Sequence, residues 1–510
     1  MEKQINVDLL VIGGGVNGTG IARDAAGRGV AVMLCEQGDL AGATSSASSK
    51  LIHGGLRYLE YCQFGFVREA LLEREVLLSI APHIVWPGRF ILPHDKRLRS
   101  ALVIEAGLIL YDWLARRNRL GRSRRLDLRM AKEGAPLKDH LMTGFAYSDC
   151  RVDDARLVVL NAVDARERGA DIRTRTRCVS AKREQGMWHA TLLDMRAAAT
   201  TIVTARALVD AAGPWAAEVF NSINGRDAGK KLRLVKGSHI VVPRIYEGDH
   251  SYVLQNKDRR VIFVMPYELD FSLIGTTEIP FGEDPSQARI TAEEISYLCA
   301  AVSRYFREPL DARDVVECFS GVRPLYDDGA KNASAATRDY VLDLDAPEGG
   351  APLLSVFGGK ITTYRRLAED AIEKLAPHLK PPCAPRWTAT TPLPGGDMDD
   401  GDFDRFLRKL RGKYPWLDAA TVARLARAYG TRVELILGSA CSARDLGADF
   451  GAGLFQAEID YLIGQEFALT AEDILWRRSK RGLHLSPVER ARLGAYVDER
   501  VTNQRRKTAG

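Results

Sequence analysis

The sequence contains no uncharged apolar run of about 18 residues, the length that a membrane-spanning helix requires. Its first apolar run, Val7 to Ile12, passes directly into a glycine turn. A signal peptide would show a basic start, a longer apolar core and a small-residue cleavage site. The 8 cysteines (Cys35, Cys62, Cys150, Cys178, Cys299, Cys318, Cys383, Cys441) are scattered, and no two form a C-x-x-C pair. That spacing argues against a zinc site, a redox dithiol and a disulfide framework, and no metal is expected. Charge of one sign is also scarce: +6 over 510 residues is too mild for a dedicated nucleic-acid binder. No internal repeat or long low-complexity segment is present. At 46% hydrophobic and 27% charged residues, the composition is that of a folded soluble chain, long enough for two or three packed units. The fold is expected to start at the N-terminus, in the cytosol.

The N-terminus reads as strand, tight turn, helix, strand: Val7–Ile12, Gly13–Gly18, Thr19–Arg28, then Val30–Cys35 closed by Glu36. Gly13-x-Gly15-x-x-Gly18 in this setting is a dinucleotide fingerprint. The first glycine allows the turn, the second lets backbone amides reach a pyrophosphate, and the third lets helix and strand pack closely. Glu36 is placed to accept hydrogen bonds from a ribose. Asn17 within the turn, and the hydroxyl-rich run Thr44, Ser45, Ser46, Ser48, Ser49 before Lys50, favour an extended flavin dinucleotide.

Farther along, Val67–Ser79 has helical apolar spacing. Strands return between about Cys150 and Val209, and Ala207–Gly213 reads as a buried strand ending on glycine. Short β-rich runs at 240–242, 261–265 and 271–274 suggest an antiparallel sheet inserted into the nucleotide-binding domain. Leu353–Phe357 and the turn Gly358-Gly359 bring the chain back. A Pro/Gly-rich stretch from Pro381 to Gly396 is a linker, and residues 402–505 read as an all-α domain.

Long motifs in sequence order carry a resemblance: Ala43–Glu60 (ATSSASSKLIHGGLRYLE), Glu73–Leu78 (EREVLL), Tyr147–Leu157 (YSDCRVDDARL), Lys236–Pro243 (KGSHIVVP), Ile274–Thr277 (IGTT), Ser320–Leu325 (SGVRPL), Thr337–Tyr340 (TRDY) and Ser355–Arg365 (SVFGGKITTYR). The chain closely resembles the aerobic, FAD-dependent glycerol-3-phosphate dehydrogenases, of the D-amino-acid-oxidase-like flavoprotein superfamily. One departure is Ala211-Ala212-Gly213-Pro214-Trp215, where the family often has a threonine at the second position. The resemblance implies a glutathione-reductase-like FAD domain, an antiparallel substrate-binding sheet and an all-α C-terminal cap, an α/β plus α architecture. The FAD part is expected mainly in 1–95, 150–215 and 350–380, the substrate part in 96–149 and 230–345, and the cap in 391–510. It implies FAD contacts at Gly13, Gly15, Asn17, Gly18, Glu36, Thr44, Ser45, Ser49, Lys50, Leu51, His53, Gly54, Ala212, Gly213, Trp215, Gly358, Gly359, Lys360 and Thr362.

The implied reaction oxidises sn-glycerol 3-phosphate to dihydroxyacetone phosphate. It requires a dianion clamp, a hydride acceptor and a destination for the hydroxyl proton. Arginine forks bind phosphate oxygens in pairs, and Arg57, Arg323 and Arg338 each sit in a motif, with Tyr58 and Lys360 adding donors. Arg323 and Lys360 also suit stabilisation of a developing alkoxide. His53 and His239 are the candidate bases, each with a core or flavin-bonding histidine as the competing reading.

The implied electron acceptor is a membrane quinone. Residues 101–114 form an apolar segment containing two acids and flanked by Arg97, Arg99, Arg116, Arg117, Arg119, Arg122, Arg124 and Arg125, as an interfacial helix on anionic lipid would be. The competing reading is a core helix followed by a solvated basic loop. The expected location is the inner face of the cell membrane, peripherally bound, with a homodimer as a family-level expectation. The alternatives are a glycerol-3-phosphate oxidase using oxygen, an amine-oxidising flavoenzyme and a flavin-fold binder without turnover.

Overall fold

The computed structural model describes residues 4–95, 98–115, 119–224, 232–258, 260–326, 339–379 and 382–509. Among these, the chain forms two large sheets and a helical C-terminal region. Strand β1 (Gln4–Ile12) lies between β2 (Val32–Cys35) and the strand Ala199–Asp210, all parallel, with the strand Leu353–Gly358 parallel beyond it. Both faces of this sheet are covered, so its central strands read as unbroken apolar runs rather than alternating ones. Helix α1 (Val16–Gly27) crosses from β1 to β2 and packs on the helices Asp154–Glu167 and Tyr364–Leu375. The hairpin Thr176–Glu184 and Met187–Asp194 contributes Trp188 and Leu192 to the opposite face, over Leu10 and Met33.

The second sheet is mainly antiparallel. It contains the expected runs within Leu232–Pro243, Val261–Tyr267 and Phe271–Gly275, joined by Ser251–Gln255 and Glu317–Tyr326. Leu51–Ile52, Val85–Pro93 and Thr143–Val152 also belong to it. This corrects the expected division, which placed 1–95 with the cofactor part and ended the substrate part at 149. Local β-pattern marks a strand, but its sheet is chosen by hydrogen-bonding partners distant in sequence, here Phe90 beside Ser251.

The helices from Phe403 to Ala509 enclose their own core, with Leu410, Val422, Leu425, Leu462 and Leu493 buried. The helix Ala101–Trp113 is apolar as expected, yet much of it faces outward: Leu102 is 77% exposed and Trp113 82%. Among the described residues, no helix is long and apolar enough to cross a membrane, and no cluster of metal-ligating side chains occurs.

Candidate active site

The turn after β1 is constrained by close approach. Gly13 has φ +113°, and a Cβ there would stand 2.5 Å from the Ala211 carbonyl oxygen. A Cβ on Gly18 would stand 1.9 Å from the Gly13 carbonyl oxygen, so α1 could not start where it does. The Val16 N–H, one of the free donors at the helix start, donates to Ser45 Oγ at 3.0 Å. Both Glu36 carboxylate oxygens accept backbone N–H groups, from Gly14 and Gly38, each at 2.7 Å. Burial raises its carboxyl above the ordinary value, opposed by these two amides. Asn17 Nδ2 donates to the Gly358 carbonyl at 3.3 Å, tying the turn to the Gly358-Gly359 bend.

One cleft of about 1120 Å³ runs from this end, at Glu36, Gly38 and Arg175, to His53, Arg57, Tyr58, Arg323 and Lys360. Gly13, Gly15, Asn17, Thr44, Ser45, Ser49, Leu51, Ala212, Gly213, Trp215, Gly358 and Gly359 line its walls. Four expected contacts are not on the wall. Gly18 lies beneath the turn, while Lys50 turns away to pair with buried Asp154 at 2.7 Å. The Gly54 N–H donates to Tyr111 Oη at 2.8 Å, and Thr362 Oγ1 accepts the His53 N–H at 3.3 Å. These residues brace the cleft from behind.

His239 is also corrected. It is buried against Phe319, ring centroids 4.9 Å apart, with Nε2 3.0 Å from Ser49 Oγ. It stands one layer behind Ser49, so a ligand in the cleft does not reach it directly. Burial, with Arg323 and Lys50 nearby, holds its pKa well below that of free imidazole. His53, by contrast, lines the cleft.

At the cationic end, Arg57 follows Gly55 (φ +84°) in the tight turn Leu56–Tyr61, and Arg323 comes from the strand Glu317–Tyr326. The Lys360 ammonium donates to the His53 carbonyl and lies 5.9 Å from the centre of the Tyr58 ring. Arg338 lies outside the described residues. Two features escaped the sequence reading. Glu278, directly after the Ile274–Thr277 motif, stands 3.7 Å from Arg57 and 3.4 Å from Arg323, and its position beside that motif was the available signal. Tyr111, on the apolar helix, donates to Asp149 at 2.8 Å, and Asp149 pairs with buried Arg74 at 2.7 Å. No local signal links Tyr111 to Gly54, because the contact spans 57 positions.

The donor set fits an extended dinucleotide. A helix start and glycine turn face phosphate, a carboxylate already oriented by two amides faces ribose, and apolar and hydroxyl walls continue to the cationic end. Residues 8–365 match the FAD dependent oxidoreductase family, and residues 386–492 match the C-terminal domain of alpha-glycerophosphate oxidase. The chain is 53% identical over 490 residues to the glycerol-3-phosphate dehydrogenase of Pseudomonas aeruginosa, covering 96% of this chain and 94% of that one. It is 51% identical over 498 residues to the D-erythritol 1-phosphate dehydrogenase of Brucella abortus, covering 98% and 99%. The crystal structure of the glycerol-3-phosphate dehydrogenase from Bacillus halodurans complexed with FAD superposes with a TM-score of 0.75 at 27% identity, over 97% of this chain and 94% of that one. The chain therefore belongs to the family of FAD-dependent glycerol-3-phosphate dehydrogenases, with FAD as its cofactor.

Proposed function

We propose that this enzyme oxidises sn-glycerol 3-phosphate to dihydroxyacetone phosphate and passes the electrons to a quinone while docked on an anionic membrane face. The observation carrying the substrate assignment is that Arg57, Arg323 and Lys360, from three segments far apart in sequence, converge at one end of the cofactor cleft. The names of the P. aeruginosa and B. abortus relatives agree with it, since both substrates are polyol phosphates.

FAD bound in the cleft supplies the two-electron acceptor. Arg57 and Arg323 hold the phosphate dianion through charge-assisted bonds, in competition with Glu278. Lys360, fixed by the His53 carbonyl, presents a positive charge toward an alkoxide forming at the neighbouring carbon. His53 takes the hydroxyl proton. His239 remains neutral behind Ser49 and orients that hydroxyl. Phe263, 6.5 Å from the His53 ring centre, and Tyr147 supply apolar wall that excludes water.

The experiment is an anaerobic titration of the purified protein followed by its visible flavin spectrum. Bleaching by sn-glycerol 3-phosphate at low concentration supports the assignment. Bleaching only by D-erythritol 1-phosphate moves the substrate to the longer polyol, and bleaching only by glycine moves the chain to amine oxidation. Reoxidation of the bleached protein by a quinone analogue, faster than by oxygen, supports the acceptor.

Membrane docking is supported by the helix Ala101–Trp113, which buries Ile104, Leu108 and Tyr111 while exposing Leu102, Val103, Ile109, Leu110 and Trp113. Five large apolar side chains on one solvent-facing helix suit the headgroup boundary. Of the flanking arginines, Arg97, Arg116 and Arg117 lie outside the described residues. Arg99 pairs with Glu60, and Arg119 donates to carbonyls at 400 and 401, so these two are already engaged within the protein. In a flotation assay with anionic vesicles, the variant L102S/V103S/W113S is expected to lose more than about tenfold in affinity. Unchanged flotation would remove the proposal.

A further inference from the structure

The helical C-terminal region takes no part in the reaction above, yet it reaches the cofactor cleft at one point. Its π-helical turn, Asp473–Arg478, places two consecutive arginines on a single carboxylate of the cofactor domain. Arg478 donates to both oxygens of Asp39, each at 2.8 Å, and Arg477 Nε donates to the same Asp39. In a regular α-helix, neighbouring side chains diverge by about 100°, whereas the wider π turn lets both converge. Arg477 also pairs with Asp473 at 2.7 Å, and Asp473 with Arg175 at 2.6 Å.

This network is buried: Arg478, Asp39 and Asp473 have side-chain exposures of 0%, 2% and 0%. It contains the cations Arg175, Arg477 and Arg478 and the anions Asp39 and Asp473. Three minus two leaves one excess positive charge among them. Buried charges are ordinarily matched, so an excess cation points to an anionic or electron-rich partner. Arg175 and Arg477 both line the cleft, at its Glu36 end. Glu36 is the ribose-binding acid at the end of β2, so this end receives the adenosine half of FAD. Asp39 lies three residues beyond Glu36, and the intervening Gly38 donates to Glu36 at 2.7 Å. The network thus grips the segment that carries the ribose-binding acid.

We propose that the C-terminal domain is part of the cofactor site: Arg477, with Arg175, completes its adenosine end, and FAD binding and docking of the domain reinforce each other through Asp39. The proposal rests on the assignment of FAD to the cleft. If FAD binds more tightly to the docked form, it must stabilise docking by the same factor. Other pairs hold the domain away from the cleft, Arg156–Glu466, Lys480–Asp153 and Arg481–Glu268, so loss of Arg477 leaves the domain attached.

The test compares full-length wild type, R477A and K480M. FAD dissociation is followed by the rise in flavin fluorescence after dilution, and docking by limited proteolysis in the 382–392 linker with and without added FAD. Far-UV circular dichroism checks folding. R477A is expected to raise the FAD dissociation constant at least tenfold. K480M, remote from the cleft, is expected to raise it about threefold by weakening docking alone. FAD should slow linker cleavage of wild type severalfold and protect R477A less. An R477A protein that is folded and holds FAD within twofold of wild type overturns the proposal. So does a K480M protein that is cleaved faster in the linker yet binds FAD as wild type does. A wild-type protein that binds no FAD instead overturns the cofactor assignment.

Discussion

Glu278 offers a quantitative check on the substrate end of the cleft. Its carboxylate is 3.7 Å from Arg57 and 3.4 Å from Arg323, and these side chains are 23% and 24% exposed. Partly exposed ion pairs of this kind contribute about 0.2–1 kcal/mol each. A phosphate that displaces Glu278 from both arginines therefore forgoes roughly 0.5–2 kcal/mol. Glu278→Gln keeps the shape and the acceptor oxygen but removes the charge. The dissociation constants for sn-glycerol 3-phosphate and for inorganic phosphate are therefore expected to fall about 2- to 25-fold, since 1.4 kcal/mol is tenfold. Perturbation of the flavin spectrum by phosphate measures binding without turnover, and stopped-flow reduction at saturating substrate separates binding from chemistry. The maximal reduction rate should change little. Tightening of 100-fold or more would mean that the carboxylate remains against the bound dianion, because like charges about 5 Å apart repel by several kcal/mol at an effective dielectric constant of about 20. Weaker binding of both ligands would refute the reasoning and make Glu278 the residue that holds the arginines in place.

Three further substitutions test other parts of the structure. Gly18→Ala puts a methyl 1.9 Å from the Gly13 carbonyl oxygen, so FAD retention on desalting should fall more than about tenfold and stability by about 1–3 kcal/mol; full retention would show that the turn yields freely. Tyr111→Phe removes the acceptor of the Gly54 N–H and a donor to Asp149, and is expected to cost about 1–3 kcal/mol in urea unfolding. Because Gly54 adjoins His53, it should also lower the flavin reduction rate severalfold with binding unchanged; an unchanged rate would confine Tyr111 to a structural role. Asp210 is buried, its Oδ1 accepting the Ala212 N–H at 3.1 Å, and burial pushes its carboxyl up to about 8. The folded state therefore keeps a proton that the unfolded chain releases near pH 4 (an ordinary carboxylate), and this contribution to stability falls as pH rises from about 4 to 8. Asp210→Asn removes that slope, so wild type should lose stability relative to the variant between pH 5 and 8, by urea midpoints. Parallel profiles would show that Asp210 is ionised in the fold.

The sequence by itself determined the parts of this protein that depend on neighbours along the chain. Gly13, Gly15 and Gly18 between two apolar runs dictate a strand, a turn and a helix start, because backbone approach at those positions admits no side chain. The unbroken apolar runs marked a sheet covered on both faces, and the helical spacing after residue 402 marked a separate all-α region with its own core. The motifs named the cations of the substrate end. Only the tertiary structure decided how these pieces meet. It assigned Val85–Pro93 to the second sheet, turned Lys50 away from the cleft onto Asp154, and placed His239 behind Ser49. It brought Glu278 between Arg57 and Arg323, Tyr111 to Gly54 and Arg477 to Asp39. The reason is the same in each case. A strand's sheet and a charged side chain's partner are chosen by groups tens to hundreds of positions away, where burial forces every charge and amide to find a counterpart, and local pattern carries no record of that choice.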